Sequence, residues 1–382
     1  MRVLAVLLLG ACGIPEVPPT PPKRTATPPT VPTAVPIDAL DHATLAAIEP
    51  LPPPPPSTVP GAELWLRGST HVHAQPSGDS ATPIPDVIRW YETRGFDFIV
   101  LSDHNRISEV GETSTAGQVA VRTPPSGLIV LAGIELTHNP TGCLPAGDDT
   151  DRCRIHVNLV GPTARPAGKL EWANRRSDLR VDKYQAALDQ QKLLGGLAQL
   201  NHPQWHWGMT PEVLIELARR GFSLIEIANA QFTKWDTGDA EHPSTGQLWD
   251  AALAQGAQLW GVASDDAHHY DGAGTYPAGG GWVVVKARRE PQAILDALAA
   301  GRFYASNGVV LELAEVFGDV FTIEVARTDP GTHVIEWIEN GKTVQTVTGK
   351  AARRALPRGG YLRGVITRGD GKQAWVQPAR RR

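Results

Sequence analysis

The sequence predicts an α/β barrel followed by a small antiparallel β domain. From residue 61 to residue 307, apolar runs of strand length alternate with segments of helical pattern. Such runs indicate strands buried on both faces of a parallel sheet, and their alternation with helices indicates repeated strand–helix units. From residue 308 to residue 382, short alternating stretches are separated by the turn sequences ENGK and RGDGK, which favours antiparallel strands in a small sandwich.

The composition is that of a globular protein without a basic surface. The chain has 382 residues, 41% of them apolar, and a net charge of −4. An average apolar fraction is sufficient for a packed core. The slight acidic excess gives no indication of a nucleic-acid partner.

The N-terminal part of the chain predicts export and a tether. Residues 1–12 join a short positive start to an apolar core too short to span a bilayer, and they end in LLGAC. This resembles a bacterial lipoprotein signal with lipid on Cys12; an ordinary cleaved secretory signal is the alternative. Gly13 follows the cysteine in place of an acidic residue, which favours the outer membrane over the inner. Residues 13–60 are proline-rich and predict an extended tether, interrupted by a short helix over 37–49.

The individual strands and helices have local signals. Apolar runs predict strands at FDFIVL, GLIVLAGIEL, IHVNLV, GLAQL, FSLIEIANA, AQLWGVAS and GWVVVKA. Helical starts and terminal glycines predict helices at TPIPDVIRWYETRG, TPEVLIELARRG, GQLWDAALAQG and EPQAILDALAAG. The last of these strands and helices would close the barrel.

Histidines concentrate where the predicted strands end. Of the 12 histidines, five lie at or just after the ends of apolar runs, namely His71, His73, His104, His202 and His268, and Glu135 ends another run. His156 is the exception, because it precedes its run. In a strand–helix barrel these ends converge on one mouth. His71 and His73 would project from the same face, about 6.6 Å apart along the strand. Imidazole and carboxylate together suit Zn, Mn or Fe, so a metal centre is expected.

Six short motifs follow in order: HVH, SDHN, GIE, RIHVN, NHP and SDDAH. Together they resemble the PHP (polymerase and histidinol phosphatase) family of metal-dependent phosphoesterases, over roughly residues 64–306. The resemblance implies a distorted TIM-like (β/α)7 barrel. It also implies two or three divalent transition-metal ions, of Mn, Fe or Zn, at the C-terminal mouth.

The resemblance implies a set of ligands for each of the three metal positions. The first metal would take His71, His73, Glu135 and Asp266; Glu135 would bridge to a second held also by His156 and His202; a third would take Asp79, His104 and His268. Where the family often has an acidic residue or histidine, this chain has Gly78, and Asp79 comes one position later. The D-x-H spacing selects Asp266 over Asp265. Asp103 is expected to orient a ligand rather than bind metal.

The activity implied by the resemblance is hydrolysis of a phosphate ester by a metal-bound hydroxide, held by Glu135, His71, His73 and Asp266. Candidate substrate-binding residues beside the motifs are Arg106, Arg154, His206 and His269. The partners would be a small-molecule or exported phosphoester and, through the lipid anchor, a membrane. A metal-dependent amidohydrolase or lactonase is an alternative enzyme class. A non-catalytic surface module that binds metal or glycans is a third possibility.

The cysteines predict one disulfide. If Cys12 carries lipid, Cys143 and Cys153 remain, with a nine-residue polar segment between them. An exported chain favours a disulfide between them, whereas a cytosolic chain would favour free thiols.

Overall fold

The computed structural model describes the backbone of residues 48–50 and, with side chains, residues 61–108, 127–148, 150–166, 168–272 and 276–381. All of these belong to one compact unit. The predicted signal with Cys12, and most of the predicted tether, lie outside the described residues. Ile48–Pro50 forms a short strand, β1, where the sequence predicted the end of a helix. The reason is pairing: β1 runs antiparallel to Ala164–Pro166.

Seven strands that carry or flank the candidate site are hydrogen-bonded in chain order. They are β2 (Leu64–Val72), β3 (Phe98–Leu101), β4 (Ile129–His138), β5 (Ile155–Val160), β7 (Leu197–Leu200), β8 (Leu224–Asn229) and β9 (Trp260–Ser264). The label β6 is given to Ala164–Pro166. The fold is therefore mixed α/β with a large sheet.

This sheet is mixed and open, so the predicted closed barrel of parallel strands is not observed. The strands β2, β3 and β4 are parallel, as are β7, β8 and β9, but β5 runs antiparallel to both of its neighbours. In the described residues no strand ladder joins β9 to β2; an isolated bridge pairs Val72 of β2 with Ala267, which lies beyond the end of β9. Closure is prevented because β10 (Trp282–Ala287) pairs antiparallel with β2 and occupies its free edge.

The C-terminal strands form two antiparallel layers. The large sheet continues from β10 through β11 (Phe303–Ser306), β18 (Gln373–Val376), β17 (Leu362–Arg368), β14 (His333–Glu339) and β15 (Lys342–Thr348). A separate sheet contains β12 (Leu311–Phe317), β13 (Val320–Val325) and β16 (Ala351–Ala355). Phe321 of β13 packs on Trp337 of β14 with ring centroids 5.5 Å apart, so apolar faces of the two sheets meet.

Six α-helices lie in the described residues: α1 (Ile84–Glu92), α2 (Arg180–Leu194), α3 (Pro211–Arg220), α4 (Thr233–Asp236), α5 (Thr245–Ala254) and α6 (Pro291–Ala299). The four helices predicted from sequence correspond to α1, α3, α5 and α6. Helix α2 was not predicted, because it buries Arg180, Lys183 and Gln190 beside its apolar residues and so lacks an apolar stripe. Within the described part, no helix combines the length and apolar character needed to cross a membrane.

The core explains why the strand ends are held in place. Strands β4 and β5 are almost entirely buried and pack with α2, α3 and α5, while β2, β3 and β10 pack with α6. Helix α5 begins with a capping box between Ser244 and Gln247. Rigid strands packed on both faces give the side chains at their ends defined positions.

The outer edge of β9 is covered by a side chain from the C-terminal segment. The backbone N–H of Gly261 donates to Gln377 Oε1 at 2.9 Å, and Gln377 Nε2 donates to the Gly261 carbonyl at 2.7 Å. One amide side chain thus satisfies backbone groups that a neighbouring strand would otherwise pair.

Candidate metal centre

The strand ends bring nine predicted ligands together. These residues form three groups of possible metal ligands: His71, His73 and Asp266; Glu135, His156 and His202; and His73, Asp79, His104 and His268. The position of His156 follows from strand direction. Because β5 runs antiparallel to β4, its first residues lie beside the end of β4, and His156 is in register with Thr137. A histidine that precedes its apolar run therefore reaches the same site as those that follow theirs.

The first group has the spacing of ligands that share one ion. The Nε2 atoms of His71 and His73 each lie 3.1 Å from Asp266 Oδ1. The distances from these atoms to the nearest Glu135 carboxylate oxygens are 3.4 Å and 3.7 Å. Bonds of about 2.1 Å place neighbouring ligand atoms about 3.0 Å apart in an octahedron and about 3.4 Å apart in a tetrahedron. The separations of 3.1 and 3.4 Å lie in that range, and the 3.7 Å separation between His73 and Glu135 is slightly longer.

The other two groups extend the cluster on either side. Glu135 Oε1 lies 3.0 Å from His156 Nδ1 and 3.8 Å from His202 Nε2. Asp79 Oδ2 lies 2.8 Å from His104 Nε2 and 3.2 Å from His268 Nε2. Glu135 thus faces both the first and second groups, as a bridging carboxylate would. The one-residue shift from Gly78 to Asp79 does not remove the carboxylate from the cluster.

Unpaired imidazole nitrogens test whether metal ions fit these residues. The Nε2 atoms of His71 and His73 and both ring nitrogens of His202 are buried and have no hydrogen-bond partner. A buried polar atom without a partner costs about 1–3 kcal/mol. Bound cations would remove this cost, because neutral imidazole nitrogens and carboxylates are the donors that Zn, Mn and Fe prefer. The residues fit a divalent metal centre.

The pKa values of the residues in the cluster are shifted in opposite directions. Burial, reinforced by His268, lowers the pKa of His73 to about 3. Burial also lowers the pKa of His156 to about 4, despite the nearby Glu135. Burial opposes protonation of His104, but Glu135 and Asp79 outweigh it and raise its pKa to about 10. Burial would raise the pKa of Glu135, yet the imidazoles around it hold that pKa well below its usual range.

The charge balance of the cluster depends on histidine alone. Within the described residues, the ion-pair partners recorded for Asp79, Glu135 and Asp266 are all histidines. Neutral imidazoles leave these carboxylate charges uncompensated. Protons or metal cations are the species that can compensate them here, and each competes with the other for the same nitrogens.

Surrounding side chains orient the ligands, and the sequence analysis did not identify them. Glu226 of β8 is fully buried and lies 2.7 Å from His71 Nδ1. Other contacts come from residues near the ligands in sequence: Ser77 Oγ lies 2.9 Å from His73 Nδ1, and Thr137 Oγ1 lies 2.6 Å from His104 Nδ1. Glu226 could have been identified as the one charged residue inside the apolar run FSLIEIANA.

The two neighbouring aspartates predicted to lie near the ligands contact other groups. Asp103 accepts hydrogen bonds from the Ala74 backbone N–H at 2.8 Å and from the Ser108 hydroxyl. It therefore fixes the backbone after β2, and its recorded hydrogen bonds are not to a ligand ring. Asp265 accepts from Ser69 and Tyr91, at 3.0 Å and 3.2 Å. The choice of Asp266 over Asp265 is consistent with these contacts.

The four predicted substrate-binding residues occupy different places. Arg154 stacks on Trp205 with its guanidinium carbon 4.2 Å from the ring centroid, and His206 packs on the same tryptophan at 5.4 Å. Trp205 in turn contacts His202 and His156, with centroids 5.1 Å and 5.7 Å away. Arg154 and His206 are therefore connected to the candidate ligands His156 and His202 through the ring of Trp205.

The remaining two candidates have weaker connections to the cluster. His269 lines a cavity of about 430 Å³ beside α1, together with Trp90, Arg94 and Tyr270. This cavity does not include any of the nine candidate ligands. Arg106 is half-buried and follows His104 by two positions, and its backbone N–H approaches the Asp103 carbonyl at 3.5 Å.

Left-handed backbone conformations concentrate around the cluster. Of the eight described non-glycine residues with positive φ, seven belong to the ligand-bearing segments: Asn105, Arg154, His202, His206, Trp207, Asp266 and Tyr276. Such conformations cost of order 1–3 kcal/mol each and persist only where surrounding contacts enforce them. Such clustering is typical of functional sites, in which side chains are held in place although the backbone conformation is unfavourable.

The predicted disulfide is present beside the cluster. Cys143 and Cys153 are joined, and both are buried. Arg180 of α2 donates to the Cys153 carbonyl at 2.5 Å and to the Pro145 carbonyl at 3.1 Å. The chain is therefore held immediately before Arg154 and three residues before His156.

Comparisons with known proteins find weak structural similarity and no match by sequence. No family model matches this sequence, and no curated protein matches it. Among solved structures, the chain is similar to a two-domain protein containing a predicted PHP-like metal-dependent phosphoesterase from Bacteroides vulgatus ATCC 8482, with 17% identity and a TM-score of 0.42. The match covers 82% of this chain and 95% of that one. At this level of similarity, the side chains of the site must carry any functional conclusion.

Proposed function

We propose that this chain is a metal-dependent phosphoesterase. The observation that carries the proposal is the group of nine histidine and carboxylate ligands at one sheet edge, with buried imidazole nitrogens that lack partners. A binding module with one ion would need three or four ligands, whereas this centre has enough for several adjacent ions. Adjacent ions bridged by a carboxylate are typical of hydrolytic centres.

Each part of the cluster would have its own task. His71, His73 and Asp266 would hold one ion, His156 and His202 a second, and Asp79, His104 and His268 a third, while Glu135 would contact the first two. When bound, such ions lower the pKa of water and compensate negative charge on a phosphoryl group. Trp205 and Phe232 pack against His202 and exclude water from its rear face, with centroids 5.1 Å and 4.3 Å from the imidazole.

Arg154 supports a phosphoester over a neutral substrate. Its Nε is buried without a hydrogen-bond partner, and burial together with Arg152 holds the pKa of Arg154 below its usual range. A guanidinium held in this way on an aromatic face is poorly compensated. An anionic phosphoryl group beside the second metal position would accept its hydrogen bond and neutralise its charge, whereas an amide or lactone carbonyl would accept the hydrogen bond but leave the charge uncompensated.

The proposed location is outside the cytoplasm, with lipid on Cys12 holding the protein at a membrane. The Cys143–Cys153 disulfide supports export, because such bonds persist in oxidising compartments. Substituting Cys12→Ser should move the protein from the membrane fraction to the soluble fraction, or leave it attached through an uncleaved signal. An unchanged, salt-resistant membrane fraction with a cleaved N-terminus would contradict the anchor.

Metal analysis combined with a substrate panel tests the enzymatic proposal. Purified protein should contain two or three equivalents of Mn, Fe or Zn, and it should hydrolyse phosphomonoesters or phosphodiesters. Dialysis against a chelator should abolish turnover, and adding back the metal should restore it. A matched panel of amides and lactones should give much lower kcat/KM values.

Other outcomes would assign a different function. Turnover of amides or lactones in preference to phosphoesters would identify an amidohydrolase or lactonase. Stoichiometric metal with no turnover on either panel would favour the non-catalytic binding module. Absence of transition metal from active protein would overturn the proposal.

A further inference from the structure

We infer that Glu226 is the positioning residue that holds two metal sites in register, through the ring of His71 and the backbone of His202. The inference rests on the proposed metal centre. Glu226 lies on β8, has no accessible surface, and belongs to none of the ligand groups.

The first oxygen of Glu226 sets the direction of the His71 lone pair. Glu226 Oε1 lies 2.7 Å from His71 Nδ1, so a proton on Nδ1 is held between them. The opposite nitrogen, Nε2, then carries its lone pair toward Asp266 Oδ1, 3.1 Å away. A carboxylate behind a ligating histidine fixes the tautomer, fixes the ring and increases the basicity of the ligand nitrogen.

The second oxygen fixes a strained backbone at another ligand. Glu226 Oε2 accepts from the His202 backbone N–H at 2.6 Å. His202 has a φ of 26°, which a non-glycine residue adopts only when neighbouring contacts enforce it. One carboxylate therefore controls a ligand of the first metal position and a ligand of the second.

Glu226 is itself held by three further donors. Ser264 Oγ, Gln199 Nε2 and Asn229 Nδ2 donate to it at 2.6, 3.3 and 2.9 Å. These contacts come from β9, β7 and β8, so the carboxylate is fixed relative to three strands. With His71 and His202, Glu226 has five hydrogen-bond partners, three on Oε1 and two on Oε2, so both oxygens are fixed in position.

The test is Glu226→Gln, which keeps the size of the side chain and removes its charge. After chelator treatment, wild-type and variant proteins would be titrated with Mn²⁺, and free Mn²⁺ would be followed by its EPR signal. We expect the affinity of the ions held by His71 and His202 to fall about 10- to 100-fold, the usual effect of removing such a partner. The ion held by Asp79, His104 and His268 should bind as in wild type.

Rescue separates positioning from a general structural role. Excess Mn²⁺ should restore most of the kcat of Glu226→Gln, because all direct ligands remain. Asp236→Asn is the matched control: Asp236 is a buried acid on a neighbouring segment that accepts from the Asn229 N–H and from Thr245, with no recorded hydrogen bond to a ligand. It should leave Mn²⁺ affinity unchanged.

Each result has a defined meaning. Wild-type affinity at all sites in Glu226→Gln would overturn the inference while leaving the proposed function intact. Equal weakening at all sites without rescue would also overturn it, since that is the signature of general destabilisation. If wild-type protein bound no Mn²⁺, Fe or Zn, the proposed function would fail first. If Glu226→Gln did not fold, Ser264→Ala would replace it, with a smaller loss expected at the same two sites and an unchanged affinity overturning the inference.

Discussion

The metal centre and the region around β17 both bury carboxylates, but they compensate the charge in different ways. Near β17, Asp250 receives two hydrogen bonds from Arg363, at 2.6 and 2.7 Å, and Asp329 receives one from Arg368 at 3.1 Å. A guanidinium is always charged, so each pair is electrically complete. At the proposed metal centre, the ion-pair partners recorded for the carboxylates are imidazoles, and the further hydrogen bonds to Glu135 come from the neutral side chains of Asn201 and Thr137. The difference separates buried charges that stabilise the fold from those of the proposed metal centre.

The backbone differs between the same two regions. Around the metal centre, seven non-glycine residues adopt positive φ, whereas Asn340 in the β14–β15 turn is the one described example in the C-terminal strands. A tight turn between antiparallel strands requires that conformation. The ligand-bearing segments have no such geometric need. Their strain is explained if ligand placement is what the local sequence is selected to achieve.

The largest expected effect is loss of activity when a ligand is removed. His71→Ala or Glu135→Ala should lower kcat/KM on phosphoesters by about a thousandfold or more, because metal ions supply several kcal/mol of transition-state stabilisation. Circular dichroism should show that the fold is largely retained. His333→Ala, at a buried histidine paired with Asp329, is the control and should retain kcat. Full activity in either ligand variant would remove the distinction between the two regions.

A smaller effect is expected for the cation beside the centre. Arg154→Ala should reduce kcat/KM for phosphoesters about 10- to 100-fold, since a charge-assisted hydrogen bond contributes about 1.5–3 kcal/mol. Arg154→Lys should recover only part of this loss. Arg152→Ala, at an exposed arginine two positions earlier, is the control and should behave as wild type. Equal losses in the Arg152 and Arg154 variants would indicate a general charge effect.

The disulfide should affect stability more than chemistry. Replacing Cys143 and Cys153 with serine should lower the free energy of unfolding by about 2–3 kcal/mol, the entropy-model value for a short loop. Urea unfolding at neutral pH measures this. Metal content per folded molecule should change little, because Arg180 still holds the Cys153 carbonyl. Two free thiols in denatured, non-reduced wild-type protein would contradict the bond.

The smallest effect concerns Asp329 in the C-terminal strands. Burial would raise the pKa of Asp329, but hydrogen bonds from His333, Val310 and Arg368 outweigh it and lower that pKa. Its stabilising effect is therefore complete above the unfolded-state pKa of about 3.9 and is lost as the pH falls through the lower folded-state pKa. Asp329→Asn should cost about 1–3 kcal/mol at pH 7.

The pH dependence makes that last measurement specific. The difference in unfolding free energy between wild type and Asp329→Asn should be constant above about pH 5 and shrink under more acidic conditions. Asp86→Asn, at an exposed residue of α1, should show no such trend. A difference that stays the same down to about pH 3 would contradict the assigned contacts of Asp329.

The sequence predicted which histidines and carboxylates lie together better than it predicted the arrangement of the strands that carry them. His71, Glu135 and His202 could be located because strand periodicity and polar residues at run ends are local signals. The direction of β5 could not be predicted, since an apolar run reads alike in parallel and antiparallel strands. The prediction of a closed barrel was also wrong, because the pairing of β10 with β2 joins segments far apart in the chain. Long-range pairing leaves no mark in a local pattern.

Residues that act through others were the hardest to identify. Glu226 lies in the middle of a strand, where a single acid among apolar residues could equally be a buried structural group. Its role becomes visible only when His71, from a strand more than 150 positions earlier, is seen beside it. Helix α2 was not predicted for a related reason. Arg180 and Lys183 are buried by contacts with other parts of the chain, and the sequence of the helix alone does not indicate those contacts.

The pair of hydrogen bonds between Gln377 and Gly261 has a consequence for biosynthesis. Strand β9 leads directly to Asp266 and His268, and its outer edge is covered by a residue near the end of the chain. During translation that edge stays unprotected until Gln377 has been made, 116 positions after Gly261. A nascent chain truncated before Gln377 would present an open strand edge, the feature that invites aggregation and removal by proteases.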